Sequence, residues 1–365
     1  MRGQDETVEL FNSLKLRPLF FMRLFSTAES YLGIDIGTAG IKVVELKNEA
    51  GKIRLLTYGF SENLLDLSQT DVKTIAKLIN KICQQAKTLS HSAVSALPTF
   101  SVFSSIINLT GVGKKDLASA VHWEAKKVIP LPLEEMILDW KKIETAEEKS
   151  YKSNLKILLT GAPRTLVKRY IDIFKIAQIN LISLETETFA LIRSLLGNDK
   201  STVMIVEIGA STTNITIIDQ SIPILSRSID IGGFTITKAI GNNLNIGLER
   251  AEQFKYDLGI SSIESQEEII PKTIVETTSP IINEIKYALN LYQSKNKKKV
   301  EKIILSGGSA LLINLPNYLS KILDINVIIG NPWSRISYPL DLKPLLDEIG
   351  PRLSIAIGLA MRELE

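Results

Sequence analysis

The chain has 365 residues, enough for two or three domains at roughly 100–200 residues each. It is 45% hydrophobic, which supplies sizeable cores, and its formal net charge of +3 is too mild to point to nucleic acid. A single cysteine, Cys83, excludes an intrachain disulfide, and with only two histidines, His91 and His122, it excludes a zinc ribbon or a His-rich zinc centre; this usage fits a reducing, cytoplasmic setting.

Residues 1–29 are expected to form a disordered extension. Its first 21 residues, ending in LRPLFF, are open to three readings: a leader before a true start at Met22, a short amphipathic contact with a membrane or partner, or a docked segment. No apolar run reaches the ~20 residues of a membrane-spanning helix.

Residues 31–36 and 41–46 are short apolar runs around a glycine turn and read as two strands of a hairpin, with IRLLTYGF after Gly51 as a third. Residues 71–89 carry apolar side chains at helical spacing with Asp71 as N-cap. AVSALP and SVFSSIINL read as strands, DLASAVHWEAKKVIP as a helix ending near Pro130, LKILLTGAP as a strand and RTLVKRYIDIFKIAQI as a helix. His122, inside the first of these helices, reads as a surface or boundary residue, because no nucleophile or carboxylate partner stands near it. Residues 244–294 are mostly helical, and the basic run Lys295–Lys302 reads as a solvated linker. VEKIIL is a strand, followed by Ser-Gly-Gly-Ser and a helix. NVIIG is a strand, NPWSRISYP a loop, and 351–364 a final helix.

Residues 203–218 repeat the opening. GIDIGTAGIKVVEL and IVEIGASTTNITII align without a gap, so Asp35 meets Glu207, Gly37 meets Gly209 and Lys42 meets Asn214. A repeat at this spacing fits duplication of a whole domain rather than a solenoid.

A phosphate chain with Mg²⁺ needs backbone N–H groups in a tight turn, hydroxyls or a lysine against its oxygens, and carboxylates that hold the metal largely through water. Two facing hairpins supply these. The first brings Asp35, Gly37, Thr38, Ala39, Gly40 and Lys42; the second brings Glu207, Gly209, Ala210, Ser211, Thr212 and Thr213. A single D-I-G-T is an ordinary turn; two in register, with Gly307, Gly308 and Ser309 after a later strand, point to a ligand. The glycine pair is expected to open a helix whose dipole favours anions. No Walker loop competes, since GVGKK at 111–115 lacks both the upstream glycine and the Ser/Thr after the lysine, and no GxGxxG fingerprint is present.

These motifs, DIGTAG, EIGASTT and SGGSA in that order, resemble the two phosphate motifs and the adenosine motif of the actin-like ATPase superfamily. Glu187, in TETFALI, matches the segment that carries that superfamily's connecting glutamate. Glu252, Lys255 and Tyr256, in AEQFKYDLG, resemble the helix that flanks adenine. Within the superfamily the chain is most similar to the PilM family of type IV pilus assembly proteins, through YLGIDIGTAGIKVVELK, HWEAKKVIPLPLEE, ERAEQFKYDLG, ILSGGSALLINLPNYL and NPW. The resemblance covers residues 30–365.

It implies an α/β actin-like fold: two ribonuclease-H-like lobes around a nucleotide cleft, with an α/β subdomain inserted in the first. The first lobe would span 30–100 and 340–365, the insert 101–184, the second lobe 185–243 and 300–339, and a helical subdomain 244–299. It implies ATP and Mg²⁺ in the cleft, with Asp35 and Glu207 on the metal through water. The partners implied are the cytoplasmic N-terminal peptide of a PilN-like inner-membrane protein and other pilus assembly components, with self-association open and nucleic acid not expected. The chain would then be cytoplasmic and meet the inner membrane only peripherally.

One departure bears on chemistry. The second motif usually begins with Asp, and here it is Glu207; the extra methylene moves the carboxylate by roughly 1.5 Å and disturbs water-mediated Mg²⁺ geometry. Glu187 is the residue best suited to position a water, so the expectation is nucleotide binding with slow or absent turnover. Three alternatives stand beside it: an FtsA-like cell-division protein, disfavoured because IGLAMRELE has no basic face, a kinase of the same fold, for which no catalytic Asp is evident, and a nucleotide-free pseudo-ATPase.

Overall fold

Isoleucine- and valine-rich runs bounded by glycine turns build two sheets of like design, which the computed structural model describes within residues 29–61, 69–113, 115–143, 155–260, 269–295 and 298–365. The first sheet contains β1 (Ser30–Gly37), β2 (Gly40–Glu49), β3 (Lys52–Phe60), β4 (Ser92–Leu97), β8 (Asn180–Thr186) and the short β14 (Ile336–Ser337), in the order β14-β3-β2-β1-β4-β8. The second contains β9 (Val203–Ile208), β10 (Thr213–Asp219), β11 (Ile222–Ile229), β12 (Lys302–Ser306) and β13 (Asn326–Ile329), in the order β11-β10-β9-β12-β13. In each, an antiparallel meander leads into two parallel strands. The register repeats too: Asp35 lies opposite Lys42 and Glu207 opposite Asn214. The duplication read from the sequence is therefore a duplication of topology.

β1 is a near-continuous buried run because both its faces are covered. On one side lie α1 (Val72–Ala86) and α3 (Arg164–Ala177), whose Ile75, Ile79, Val167 and Ile173 pack with Leu32 and Ile34. Asp71 caps α1, its side chain accepting from the Lys73 amide at 3.1 Å. On the other side α9 (Lys343–Met361) runs so close that a Cβ on Gly33 would stand 1.8 Å from the Ala356 carbonyl oxygen. The insert is a three-stranded antiparallel sheet, β5 (Phe103–Leu109), β7 (Leu155–Pro163) and β6 (Met136–Ile143), backed by α2 (Leu117–Val128) through Val121 and Ala125. His122 is exposed on α2, as expected. The second sheet packs against α5 (Gly233–Leu244), α6 (Leu248–Leu258), α7 (Ile269–Lys295) and α8 (Leu315–Leu323). Between the sheets, Val94 and Ala96 of β4 meet Val203 and Ile205 of β9, Ile304 of β12, Ile355 and Leu359 of α9, and Ala190 of the short α4 (Glu187–Leu191).

Several expectations give way. The last helix begins at Lys343, not 351; Pro351 lies inside it. Proline costs an N–H and a clash in a helix interior, but here burial of Leu346, Ile349, Leu353 and Ile357 outweighs that cost. The loop 331–339 contains β14, which pairs in parallel with β3, and a wholly buried Trp333 whose indole N–H donates to the Leu346 carbonyl at 2.7 Å. Strands β6, β8 and β11 carry no clear sequence signal; β6 and β11 lie at sheet edges and mix polar with apolar residues. Helix α7 lies in the stretch expected to be helical and encloses Pro280. After Gly307 comes a single 3₁₀ turn, Gly308–Leu311, with α8 starting only at Leu315, so no α-helix dipole points from the glycine pair. Lys298 and Lys302 of the basic run pair with Asp219 and Asp199 at 2.9 and 2.6 Å. The expected disordered extension lies outside the described residues except for Glu29.

Candidate nucleotide-binding cleft

Parallel strands present their carboxyl ends to one side, where ligands of open α/β sheets bind. Here Asp35 and Gly37 end β1, Glu187 follows β8, Glu207 stands near the end of β9, and Gly307 follows β12. Two sheets packed through α4 and α9, which share one apolar cluster with β4 and β9, thus bring strand ends from distant sequence to one cleft.

The first hairpin turns through Thr38 and Ala39 between the paired Gly37 and Gly40. Gly40 has φ +126°, and a Cβ there would stand 2.0 Å from the Ser61 carbonyl oxygen, so only glycine fits. Ser61 braces the turn, its Oγ accepting from the Ile41 amide at 3.1 Å. Lys42 reaches back from β2 to Asp35, Nζ to Oδ2 at 3.0 Å, and Asp35 is only 4% exposed. A Cβ on Gly37 would come 2.8 Å from that ammonium. Burial pulls the Lys42 ammonium down, but the charge and hydrogen bond of Asp35, with Glu207 and Glu187 adding, outweigh it and hold it above its ordinary value.

The second hairpin has no lysine. Glu207 Oε2 accepts from Asn214 Nδ2 at 3.0 Å, and Asn214 Oδ1 accepts from Ser228 Oγ at 2.7 Å. Thr213 Oγ1 donates to the Ile231 carbonyl at 2.7 Å. The Gly209 amide donates to the Thr212 carbonyl at 2.9 Å, closing the turn that holds Ala210 and Ser211. The Gly209 and Ala210 carbonyls accept from the Gly233 and Phe234 amides at 2.9 and 2.8 Å, so the first amides of α5 are engaged by the turn.

Glu187 Oε2 accepts twice from Thr99, from its amide at 2.8 Å and its hydroxyl at 2.9 Å. Burial pushes the Glu187 carboxyl well above the usual carboxylate range, and the charges of Glu207 and Asp35 push it further, against the Thr99 bonds. Burial also raises Glu207; Lys42 opposes this and Asp35 adds to it. Three carboxylates crowded around one ammonium form a site short of positive charge. A cavity of about 590 Å³ adjoins it, lined in part by Thr99, Thr188, Arg227, Ser228 and Asp230.

The remaining predicted residues gather beside the second hairpin. Lys255, on α6, is 1% exposed and donates to Glu252 at 2.7 Å, to Thr237 at 3.0 Å and to the Gly233 carbonyl at 3.2 Å. Burial lowers its pKa, with Glu252 opposing and Arg352 adding. Ser309 Oγ lies 2.3 Å from where a Gly233 Cβ would be, and Gly307, at φ +82°, would put a Cβ 2.4 Å from the Ile208 carbonyl oxygen and 3.0 Å from Glu207. Tyr256 packs near Gly308. Sequence reasoning missed Thr99, Gly233, Thr237 and Arg352. The glycine pair in IGGFT was a legible signal for Gly233; nothing local announces the others.

The donor set suits Mg²⁺. Among the described residues no three acidic, His or Cys side chains cluster closely enough to hold a metal by themselves. Mg²⁺ keeps waters and substrate oxygens around it and asks for only one or two carboxylates, a requirement that Asp35 and Glu207 could meet.

The family described as type IV pilus assembly protein PilM matches residues 33–364. The chain belongs to that family. It is 22% identical over 348 residues to the cell division protein FtsA of Bacillus subtilis strain 168, covering 83% of this chain and 79% of FtsA. The fold resembles that of a PilM-PilN type IV pilus biogenesis complex (TM-score 0.80, 23% identity, 92% of this chain and 98% of that one). It also resembles MreB5 of Spiroplasma citri bound to AMPPNP (TM-score 0.54, 13% identity, 93% and 97%). These likenesses establish the actin-like ATPase fold. Among the described residues no helix is long and apolar enough to cross a membrane.

Proposed function

We propose that the chain is an ATP-binding scaffold of type IV pilus assembly that engages the cytoplasmic N-terminal peptide of a PilN-like inner-membrane protein and hydrolyses ATP slowly or not at all. The observation that carries the nucleotide half is the convergence of Asp35, Glu207 and Glu187 at facing strand ends. Asp35 and Glu207 would hold Mg²⁺, which supplies charge neutralisation at the phosphates when bound. Lys42 would turn from Asp35 toward a phosphate oxygen. The Gly37–Gly40 and Gly209–Thr213 turns would cradle the phosphates from two sides. Glu252, Lys255 and Tyr256 would flank the adenine, and the Gly307–Ser309 turn would border the adenosine. Glu187 is held by Thr99 where it could orient a water, but a carboxyl that stays protonated is a poor base. That supports slow turnover. A first lobe of 30–100 and 340–365, an insert within 101–184, a second lobe of 185–243 and 300–339 and a helical subdomain 244–299 are proposed with this reading, except that α3, β8 and β14 go with the first lobe, whose sheet they pack on or extend; so are the peripheral place at the inner membrane and contact with other assembly components.

The partner half is supported by membership of the PilM family and by the likeness of the fold to a solved PilM-PilN complex. The likeness to FtsA favours one competing reading, a membrane-associated cell-division protein. Calorimetric titration of the full chain with Mg²⁺-ATP, beside Asp35→Ala, tests the cleft: affinity is expected to fall at least about tenfold in the variant, and equal affinities would refute the assignment. A PilN-type N-terminal peptide from the same organism is then added with and without nucleotide. Absence of peptide binding in both states, with filaments forming on lipid instead, would favour the cell-division reading.

A further inference from the structure

Residues two apart along a strand share one face of the sheet. One face of β9 reads Val203, Ile205, Glu207 toward the cleft, and opposite it on β10 stand Ile218, Thr216 and Asn214. The apolar end of this face packs with Ala190 and Leu191 of α4. At Thr216 and Asn214 the contact turns polar, and there lies a small cavity of about 10 Å³, bordered by Thr99 and Thr188 from one side and by Asn214 and Thr216 from the other. That volume is about what one water molecule requires.

The four polar side chains have hydrogen-bonding capacity to spare. Thr188 is 7% exposed, and its hydroxyl has no hydrogen-bond partner among the described residues. The buried Thr216 hydroxyl meets, among those residues, only Ser226 Oγ at 3.4 Å, long for an O–H···O bond. A buried hydroxyl left unpaired costs free energy, and a valine of the same shape would avoid that cost. Thr99 Oγ1 donates to Glu187 and keeps its lone pairs, and Asn214 Nδ2 donates to Glu207 and has a second proton. The small cavity thus offers up to four polar partners, where a buried water typically takes about three. Thr99 and Thr188 also border the larger cavity of about 590 Å³, which gives water a way in.

We infer that the small cavity is a site for a single buried water, held by the hydroxyls of Thr188 and Thr216, and that this water ties the Thr99 clamp on Glu187 to the Asn214 clamp on Glu207. Thr188 and Thr216 are then positioning residues: two carboxylates that reach the cleft from different sheets are held by one hydrogen-bonded unit. The consequence for ligand binding rests on the nucleotide reading; the bridge itself does not.

The test is a cycle of urea unfolding on the full chain, with Thr216→Val introduced into wild type, Thr188→Val and Thr188→Ser. Valine keeps the shape and removes the hydroxyl, whereas serine keeps the hydroxyl. In wild type and in the serine background Thr216→Val is expected to lower the midpoint by about 0.3 M. In the Thr188→Val background it should lower it little or not at all, because a water that has lost one anchor is already released. Equal losses in all three backgrounds would give each hydroxyl a separate contact and overturn the bridge. An unchanged or raised midpoint for Thr216→Val in wild type would mean a dry cavity and overturn it too. Calorimetry with Mg²⁺-ATP then reads the positioning: Thr188→Val should weaken binding about threefold, and Thr188→Ser should bind as wild type does. An affinity unchanged in Thr188→Val overturns the positioning role. A wild type that binds no ATP overturns the nucleotide reading and that role together, while the unfolding cycle still decides the bridge.

Discussion

Replacing Glu187 by glutamine should stabilise the protein, and more so as pH rises. The carboxyl is buried beside Asp35 and Glu207, and its pKa stands above that of an exposed glutamate. Folded protein therefore keeps a proton that the unfolded chain releases above about pH 4.3. The sign follows from linkage: where the native state binds more protons, stability falls as pH rises, fully present below the unfolded pKa and lost toward the folded one. Each pH unit across that window removes about 1.4 kcal/mol. From pH 5 to 8 the ceiling is about 4 kcal/mol, and the Lys42 ammonium and relaxation of the site reduce it to about 1–2 kcal/mol. Glutamine keeps an oxygen for the two Thr99 bonds and carries no charge, so it freezes the neutral form. Urea unfolding at pH 5 and pH 8 should show the variant near wild type at the lower pH and about 1–2 kcal/mol more stable at the higher. A difference that is the same at both pH values, or a variant less stable at pH 8, would refute the reasoning.

Two further predictions concern the cleft and the core. On the proposed reading, in which an ionised Glu207 holds Mg²⁺, its raised pKa means that binding of Mg²⁺-ATP near pH 6.5 should release on the order of 0.5 proton and tighten with rising pH; heats of binding that do not vary between buffers of different ionisation enthalpy would contradict this. Gly33→Ala forces a Cβ to 1.8 Å from the Ala356 carbonyl oxygen, a backbone atom that no rotamer change can move. We expect a loss of about 3 kcal/mol in chemical unfolding. Gly247→Ala, with nothing within 4 Å, is the control, and similar losses in the two would sink the packing argument.

Much of the molecule was legible locally because local physics specifies it. The hairpins at Asp35 and Glu207 announced themselves by apolar runs around glycine turns, and their gapless alignment anticipated the matching registers. Asp71 and the apolar spacing after it marked α1. Edge strands such as β6 and β11 escaped because half their surface faces solvent, and their residues need not alternate. Pro351 misled because proline's cost in a helix interior, about 3 kcal/mol or more, is offset by the burial of the rest of α9.

The sequence by itself determined the duplicated motif set, the glycines that only a tight turn requires, and the substitution of Glu207 for an aspartate. Tertiary structure alone decided what those residues meet. Thr99 holds Glu187 from 88 positions away, and the Pro351 carbonyl reaches Gly307 across 44 positions, setting Arg352 beside Gly308 and Tyr256. Turn and strand preferences are set by neighbours along the chain. The crowding of three carboxylates around one ammonium, and the pKa shifts that follow, arise only when the two sheets are brought together through the apolar cluster of β4, β9, α4 and α9.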